Sequence, residues 1–255
     1  MNRLSRLASV ALTAVAALLA VPALAASPVP VQFGTSWDGP SQDLQHVVDA
    51  YLGAPGLLNV QTDFVGAHAA DLDPWFWVGN GIPLLLVTEV AGNRDFNTLG
   101  WYQETGAQPT IDGINDGVIF GGSSSAGASA MLTFPSGVTK FGFYLDTQHM
   151  VSTPGGNREQ LFFTNRYHND IGPSGYPATH APFDGDPQAI VFDVSQWKGP
   201  STWLVCFEDR DSGLPLTACC DGTDNDFNDL VFQVMALGET PTRTVSFGAV
   251  KARYR

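Results

Sequence analysis

From Leu58 onward the chain alternates short apolar runs with clusters of Gly, Pro, Asn and Asp, and within the runs apolar side chains recur at every second residue. That spacing predicts strands with one well-buried face. Leu230, Phe232 and Val234 alternate with Val231 and Gln233, Phe141, Phe143 and Leu145 share one side of another run, and Trp203, Val205 and Phe207 share one side of a third. The predicted strands are Leu58 to Val65, Trp75 to Val78, Ile82 to Val90, Thr98 to Gln103, Gly117 to Phe120, Ala128 to Phe134, Thr139 to Asp146, Gln160 to Arg166, Ala189 to Val194, Thr202 to Glu208 and Asp229 to Ala236. One segment departs from the pattern. SQDLQHVVDAYLG places Leu44, Val47, Val48, Tyr51 and Leu52 on one helical face, with Pro40 and Ser41 at its start, Gly53 as its cap and Pro55 as its exit. A short helix of this kind packs against the end of a sheet. Many short strands, many turn residues and one short N-terminal helix predict an all-β fold, an antiparallel β-sandwich that is jelly-roll-like. We expect it to fill residues 26–242 as a single domain, followed by a short basic tail at 243–255.

The first residues change the picture of where this fold works. Arg3 and Arg6 precede an apolar run, and Ala23-Leu24-Ala25 supplies small residues at the spacing of a cleavage site, so residues 1–25 read as a secretory signal peptide. The apolar segment from Leu7 to Ala20 is shorter than the roughly 20 residues a membrane span requires. No later run is long enough to cross a bilayer. Export to the extracellular space, periplasm or cell surface is therefore expected, without stable membrane insertion once the leader is removed. Cleavage would leave 10 basic residues against 25 acidic ones, a net charge of −15. Residues 26–242 carry 6 basic residues and all 25 acidic ones, a net −19, which repels nucleic acid and anionic headgroups. Three cysteines in an exported chain imply one disulfide, with Cys206 joined to either Cys219 or Cys220.

The densest acidic stretch is DGTDNDFNDLVFQV, from Asp221 to Val234. Asp221, Asp224, Asp226 and Asp229, with Asn225 and Asn228, offer oxygen acceptors and no local cation. If the strands at Thr202 to Glu208 and Asp229 to Ala236 pair as antiparallel neighbours, Glu208, Asp209 and Asp211 reach the same end of the sheet as Asp224, Asp226 and Asp229. Such an oxygen cage suits calcium, which takes six to eight oxygen ligands in irregular geometry, whereas zinc calls for His or Cys. The loop is not an EF-hand, because Asp229 and Met235 stand where that motif needs Gly and Glu. The alternative is a solvated turn in which Asp and Asn bond their own backbone. A second polar cluster, Glu89, Asn93, Asp95 and Asn97, could join the same site, although a hairpin turn explains it more simply.

Phe207-Glu208-Asp209 followed by Asp224-Asn225-Asp226-Phe227-Asn228-Asp229-Leu230-Val231-Phe232 resembles the F-E-D … D-x-D-[FY]-N-D-L-V signature of a bacterial exported-protein domain, domain of unknown function 4114, found in surface-sorted and adhesin-like proteins. IVFDVSQW, FGFYLD and TEVAGNRDFNTLGWY are also similar to parts of such proteins, so the likeness spans about Leu84 to Ala236. It implies a β-sandwich and calcium ligation at Asp224, Asp226, Asn228 and Asp229, and no established activity. SGLPLTACCDGT replaces the Gly-rich join common in that family, and SFGAVKARYR carries no Pro-Glu-Pro sorting signal.

Catalytic signatures are missing. GGSSSAG lacks the order of a nucleophile elbow, and His46, His68, His149, His168 and His180 stand singly with no zinc motif. With 25 acidic residues, some carboxylate pair will always fall at glycosidase spacing, so abundance removes that evidence. In DPWFWVGNG, Trp75 and Trp77 share one strand face opposite Phe76. They would stack on sugar rings if exposed, but aromatics of this size more often pack a core. The sequence thus reads as a non-enzymatic, calcium-stabilised exported module with a structural, cell-surface or adhesion role. Its partners would be an extracellular polysaccharide or a cell-surface component. A carbohydrate-binding or carbohydrate-degrading secreted protein is the alternative.

Overall fold

The computed structural model describes residues 31, 33–34, 39, 41–65, 75–91, 94–153, 156–165, 168–169, 187–210 and 223–237. The leader, Asn93, Asp211, Cys219, Cys220, Asp221 and the basic tail lie outside the described residues. One antiparallel sheet contains β1 (Phe76–Trp77), β3 (Thr98–Gln103), β4 (Asp116–Phe120), β6 (Lys140–Thr153) and β7 (Gly156–Phe163). Its order is β1, β6, β3, β4, and β7 pairs with β6 beyond the stretch that meets β1. The other contains β5 (Ser129–Leu132), β2 (Ile82–Glu89), β10 (Leu230–Met235), β9 (Thr202–Phe207) and β8 (Ala189–Asp193), in that order and antiparallel throughout. The all-β sandwich expected from the alternation is the fold observed.

Strand parity decides what each sheet buries. Leu99, Trp101, Phe141, Phe143 and Leu145 from the first sheet meet Leu84, Leu86, Val205, Phe207, Leu230 and Phe232 from the second in the inter-sheet core. Phe143 meets Phe232 edge-on with ring centroids 4.8 Å apart, an arrangement aromatic quadrupoles favour. The opposite face of the second sheet is also covered. Ile190, Phe192, Leu204, Cys206 and Val231 pack there against Leu44 and Val48 of helix α1 (Leu44–Leu52), together with Leu58, Val60 and Phe227. Strand β9 is therefore buried along its whole length. Helix α1 is capped by the Asp43 side chain, which accepts from His46 N, and ends at Gly53 with φ 88°. It lies on the sheet's face, not at its end, and Tyr51 Oη donates to Gln233 Oε1 at 2.6 Å.

On the outer side of the first sheet, Tyr102 and Tyr144 are buried with Phe163. Each tyrosine lies over a glycine of the neighbouring strand: Gly100 is opposite Tyr144 and Tyr102 is opposite Gly142. A Cβ at either glycine would fall within the facing ring.

The structure corrects four further expectations. Leu58 to Val65 forms turns, not a strand, because Asn59 N donates to Asp63 Oδ2 and Gln61 N to Asn59 Oδ1; Leu58 and Val60 still reach the second core. A four-residue helix, α2 (Ser195–Lys198), connects β8 to β9 where none was expected. Phe76 takes the inward position on β1, which leaves Trp77 41% exposed on the outer face instead of in a core. Cys206 is a free, fully buried thiol, so the expected disulfide from it is not formed. Its position between Ile190 and Val231 in the sheet turns the sulfur into the helix-covered core, away from the acidic loop.

Candidate metal centre

Three strands of the second sheet end on one row. Leu230 faces Phe207 across β10 and β9 and faces Glu89 across β10 and β2. Glu208 and Asp209 leave β9 at this row, and Asp229 enters β10 beside them. The antiparallel pairing assumed for these two strands is present, so the F-E-D and D-F-N-D segments meet.

The acidic loop is held by what alternates with its polar residues. Phe227 is fully buried in the helix-covered core, 5.7 Å from the Phe33 ring, so its neighbours Asp226 and Asn228 are fixed by an apolar anchor between them. Asn225 and Phe227 both adopt left-handed backbone, with φ of 52° and 57°. That conformation costs about 1–2 kcal/mol for a residue with a Cβ and persists only where surroundings impose it. Here they do. Gly34 N donates to Asn225 O at 2.9 Å, and Gly34 has no room for a Cβ because the Asp224 carbonyl occupies that space. Asn228 Nδ2 donates to Gln42 O at 2.6 Å, just ahead of α1. Val90 N donates to Asp229 O at 3.1 Å, tying the loop to the end of β2.

Glu208, Asp209, Asp224, Asp226, Asn228 and Asp229 are all buried, none more than 7% exposed. One oxygen each from Glu208, Asp224 and Asp226 fall within 4.8 Å of one another, and so do one each from Glu208, Asp209 and Asp229. Glu208 belongs to both groups. Backbone donors orient the carboxylates: Phe227 N reaches Glu208 Oε2 at 3.3 Å, Asp209 N reaches Asp229 Oδ2 at 2.8 Å and Asn228 N reaches Asp226 Oδ1 at 3.2 Å. The donor set is oxygen only, with no His or Cys in either group.

Electrostatics here are unfavourable to charge. Burial, above all, pushes Glu208 up from the ordinary 4.5 to about 8; a hydrogen bond with Thr223 opposes the rise, and the charges of Asp224, Asp209 and Asp226 add to it. Burial likewise raises Asp229 well above the usual carboxylate range, helped by Glu208 and Asp209. The same protein solves a buried carboxylate differently elsewhere. Burial would raise Glu104 too, but hydrogen bonds from His168 and Gly106 N, with the His168 charge, pull its carboxyl below the ordinary value. Tyr102 Oη and Asn165 Nδ2 also donate to Glu104 Oε2, at 3.2 and 3.1 Å. Glu104 is answered by protein groups; Glu208 has carboxylates for neighbours. A buried carboxylate cluster of this kind has the arrangement to hold a metal ion.

Glu208, Asp209, Asp224, Asp226 and Asp229 meet at this end of the sandwich, with Asn228 tied to them through its backbone N–H, while Asp211 and Asp221 lie outside the described residues. Asn97, which precedes β3 in the other sheet, is 1% exposed and its Nδ2 donates to Asp209 Oδ2 at 3.2 Å. Glu89, at the end of β2, is raised to about 7, first by burial, against a hydrogen bond with Asn97, and then by the Asp209 charge. These two thus belong to the acidic end and not to a separate hairpin turn, while Asp95 is an exposed residue beside Arg94. A signal for Glu89 and Asn97 was present in the polar cluster itself; which sheet end it would meet was not. Among the described residues no helix is long and apolar enough to cross a membrane. Comparison of the chain with protein-family models, curated proteins and solved structures finds no match.

Proposed function

We propose that this chain is an exported, non-enzymatic β-sandwich module that holds calcium at its acidic end and serves a structural, cell-surface or adhesion role. The observation that supports this reading best is the convergence of buried, oxygen-only ligands on Glu208, from Asp224 and Asp226 on one side and Asp209 and Asp229 on the other. Calcium accepts irregular shells of shared carboxylates, whereas magnesium keeps several waters in a tight octahedron and fits a buried cluster poorly. The resemblance of the two motif halves to domain of unknown function 4114 supports the same reading, with Asp224, Asp226, Asn228 and Asp229 as ligands beside Glu208 and Asp209. Calcium would neutralise like charges that the fold has drawn together, joining the loop to the ends of β9 and β10. Extracellular polysaccharide or a cell-surface component is the partner class for such a module.

Calorimetric titration of the chelator-treated protein tests this. Calcium should bind with a dissociation constant of about 0.1–1 mM, the range of extracellular modules, and magnesium more weakly. Asp226→Ala should remove most of the heat. A folded wild type that takes up no calcium would end the proposal. Carbohydrate binding is a second reading favoured by one observation, the exposed Trp77 ring. Trp75 stands edge-on to it at 5.0 Å, and Lys140 Nζ lies over both rings, 3.9 Å from the Trp75 centroid and 5.3 Å from that of Trp77, so Trp77 is the less covered of the two. Retention on polysaccharide gels that Trp77→Ala abolishes would support it; release of reducing ends would instead show an enzyme.

A further inference from the structure

We infer that the acidic end is a two-cation centre in which Glu208 is the shared ligand. One ion sits among Glu208, Asp224 and Asp226; the second sits among Glu208, Asp209 and Asp229 and is completed by Asn97 Oδ1 and Glu89 Oε1. The inference rests on the calcium reading of this site and goes beyond it in number of ions and in ligands.

Four observations carry it. The carboxylates form two groups with one common member, not one ring of five. A carboxylate has two oxygens and about four lone-pair positions, so Glu208 can serve both sides. Next, Asn97 Oδ1 is buried without a hydrogen-bond partner, although its side chain is only 1% exposed. The other end of that amide donates to Asp209, so the amide plane faces the second triad with its nitrogen, and a half-turn about the Cβ–Cγ bond would put the orphan oxygen where Nδ2 now lies. Glu89 Oε1 is a further buried oxygen without a partner, and Asp209 is among the charges that act on Glu89. These two atoms belong to residues that interact with Asp209. A single ion between Asp224 and Asp226 would leave them unanswered; a second ion beside Asp209 and Asp229 gives each a role. Lastly, the five carboxylates of the two triads and that of Glu89 would together carry −6 when ionised. One divalent cation leaves −4 in a buried site and two leave −2, and buried charge is tolerated only when compensated.

The elements that supply these groups give the second ion a function of its own. Asp209 and Asp229 belong to one sheet and Asn97 to the other, with 112 residues between Asn97 and Asp209. An ion there links the two sheets across the open end of the sandwich. The first ion links the acidic loop to β9 alone.

Native mass spectrometry of the full chain, titrated with calcium chloride after chelation, counts the ions. Two per chain are expected in the wild type, and one in Asp226→Ala. Asn97→Ala and Glu89→Gln should each weaken one of the two binding steps by about tenfold or more and leave the other unchanged. Near-ultraviolet circular dichroism establishes that each variant is folded. If either fails to fold, Asn97→Asp, which keeps an oxygen in place, should preserve both ions. A wild type that saturates with one calcium would overturn the inference and leave the functional reading standing. Two ions whose affinities ignore both Asn97→Ala and Glu89→Gln would also overturn it. No bound calcium at all would remove the functional reading together with the inference.

Discussion

Withdrawing calcium should make the protein less stable as pH rises, which reverses the behaviour of a typical carboxylate. In the unfolded chain Glu208 ionises near 4.5, but in the calcium-free fold burial and neighbouring charge hold it to about 8. Between those values the folded state binds more protons than the unfolded one, so folding stability falls as pH rises. Stability is fully present below about pH 4.5 and is lost progressively as pH climbs through about 8. The difference corresponds to a loss on the order of 5 kcal/mol as an upper bound, since the groups around Glu208 titrate with it. At about 2–4 °C per kcal/mol for a domain of this size, the chelated protein should melt up to ~10–20 °C lower at pH 8.5 than at pH 5. Glu89, held up to about 7, contributes with the same sign. Calcium should flatten or invert the slope, because the ion binds ionised carboxylates and competes with protons. Glu208→Gln provides the control. It keeps an oxygen for Phe227 N, removes one titrating charge, and should raise the alkaline melting temperature in chelator while weakening the calcium response. The assay is a series of thermal melts at constant ionic strength across this pH range, with excess chelator or with millimolar calcium. Equal stability of the chelated wild type at acid and alkaline pH would refute the electrostatic reasoning.

Phe227→Ala should destabilise the fold by about 3–5 kcal/mol in urea unfolding, as for other large buried aromatics, and weaken calcium binding because the loop loses its apolar anchor. Burial raises the Cys206 thiol well above its ordinary range and encloses it completely, so maleimide should label Cys206 only on unfolding, and non-reducing peptide maps should find it unbridged. Intact-mass measurement of exported protein should show a chain beginning at or near Ala26; recovery with Met1 attached would refute export by cleavage of the leader.

Local alternation made most of this fold legible. Thr98 to Gln103 coincides with β3, and the inward sets Phe141, Phe143, Leu145 and Trp203, Val205, Phe207 are those found in the core. Leu58 to Val65 misled because its apolar spacing suits a strand while Asn59 and Asp63 bond the backbone into turns. Glu208, Asp209 and the D-F-N-D loop could be brought together on paper because one antiparallel pairing suffices. Glu89 and Asn97 could not, since their place depends on how the second sheet docks on the first. Cys206 shares its parity with Leu204, on the face opposite Val205 and Phe207; that signal pointed to a second apolar layer and against a bridge.

The paired tyrosines and glycines of β3 and β6 act as a ruler for the candidate metal centre. The smallest register slip that keeps side chains on their proper faces is two residues. Slipping one way would set Tyr102 against Tyr144, ring on ring; slipping the other would set Gly100 against Gly142 and leave an empty strip. Only the observed register seats each ring over a glycine. Two residues of slip would carry Asn97 about 7 Å along its strand axis, well beyond hydrogen-bond reach of Asp209. The reach of Asn97 into the acidic end is thus calibrated by rings two turns of the pleat away, and relatives of this chain should exchange the tyrosine and glycine of each pair together or not at all.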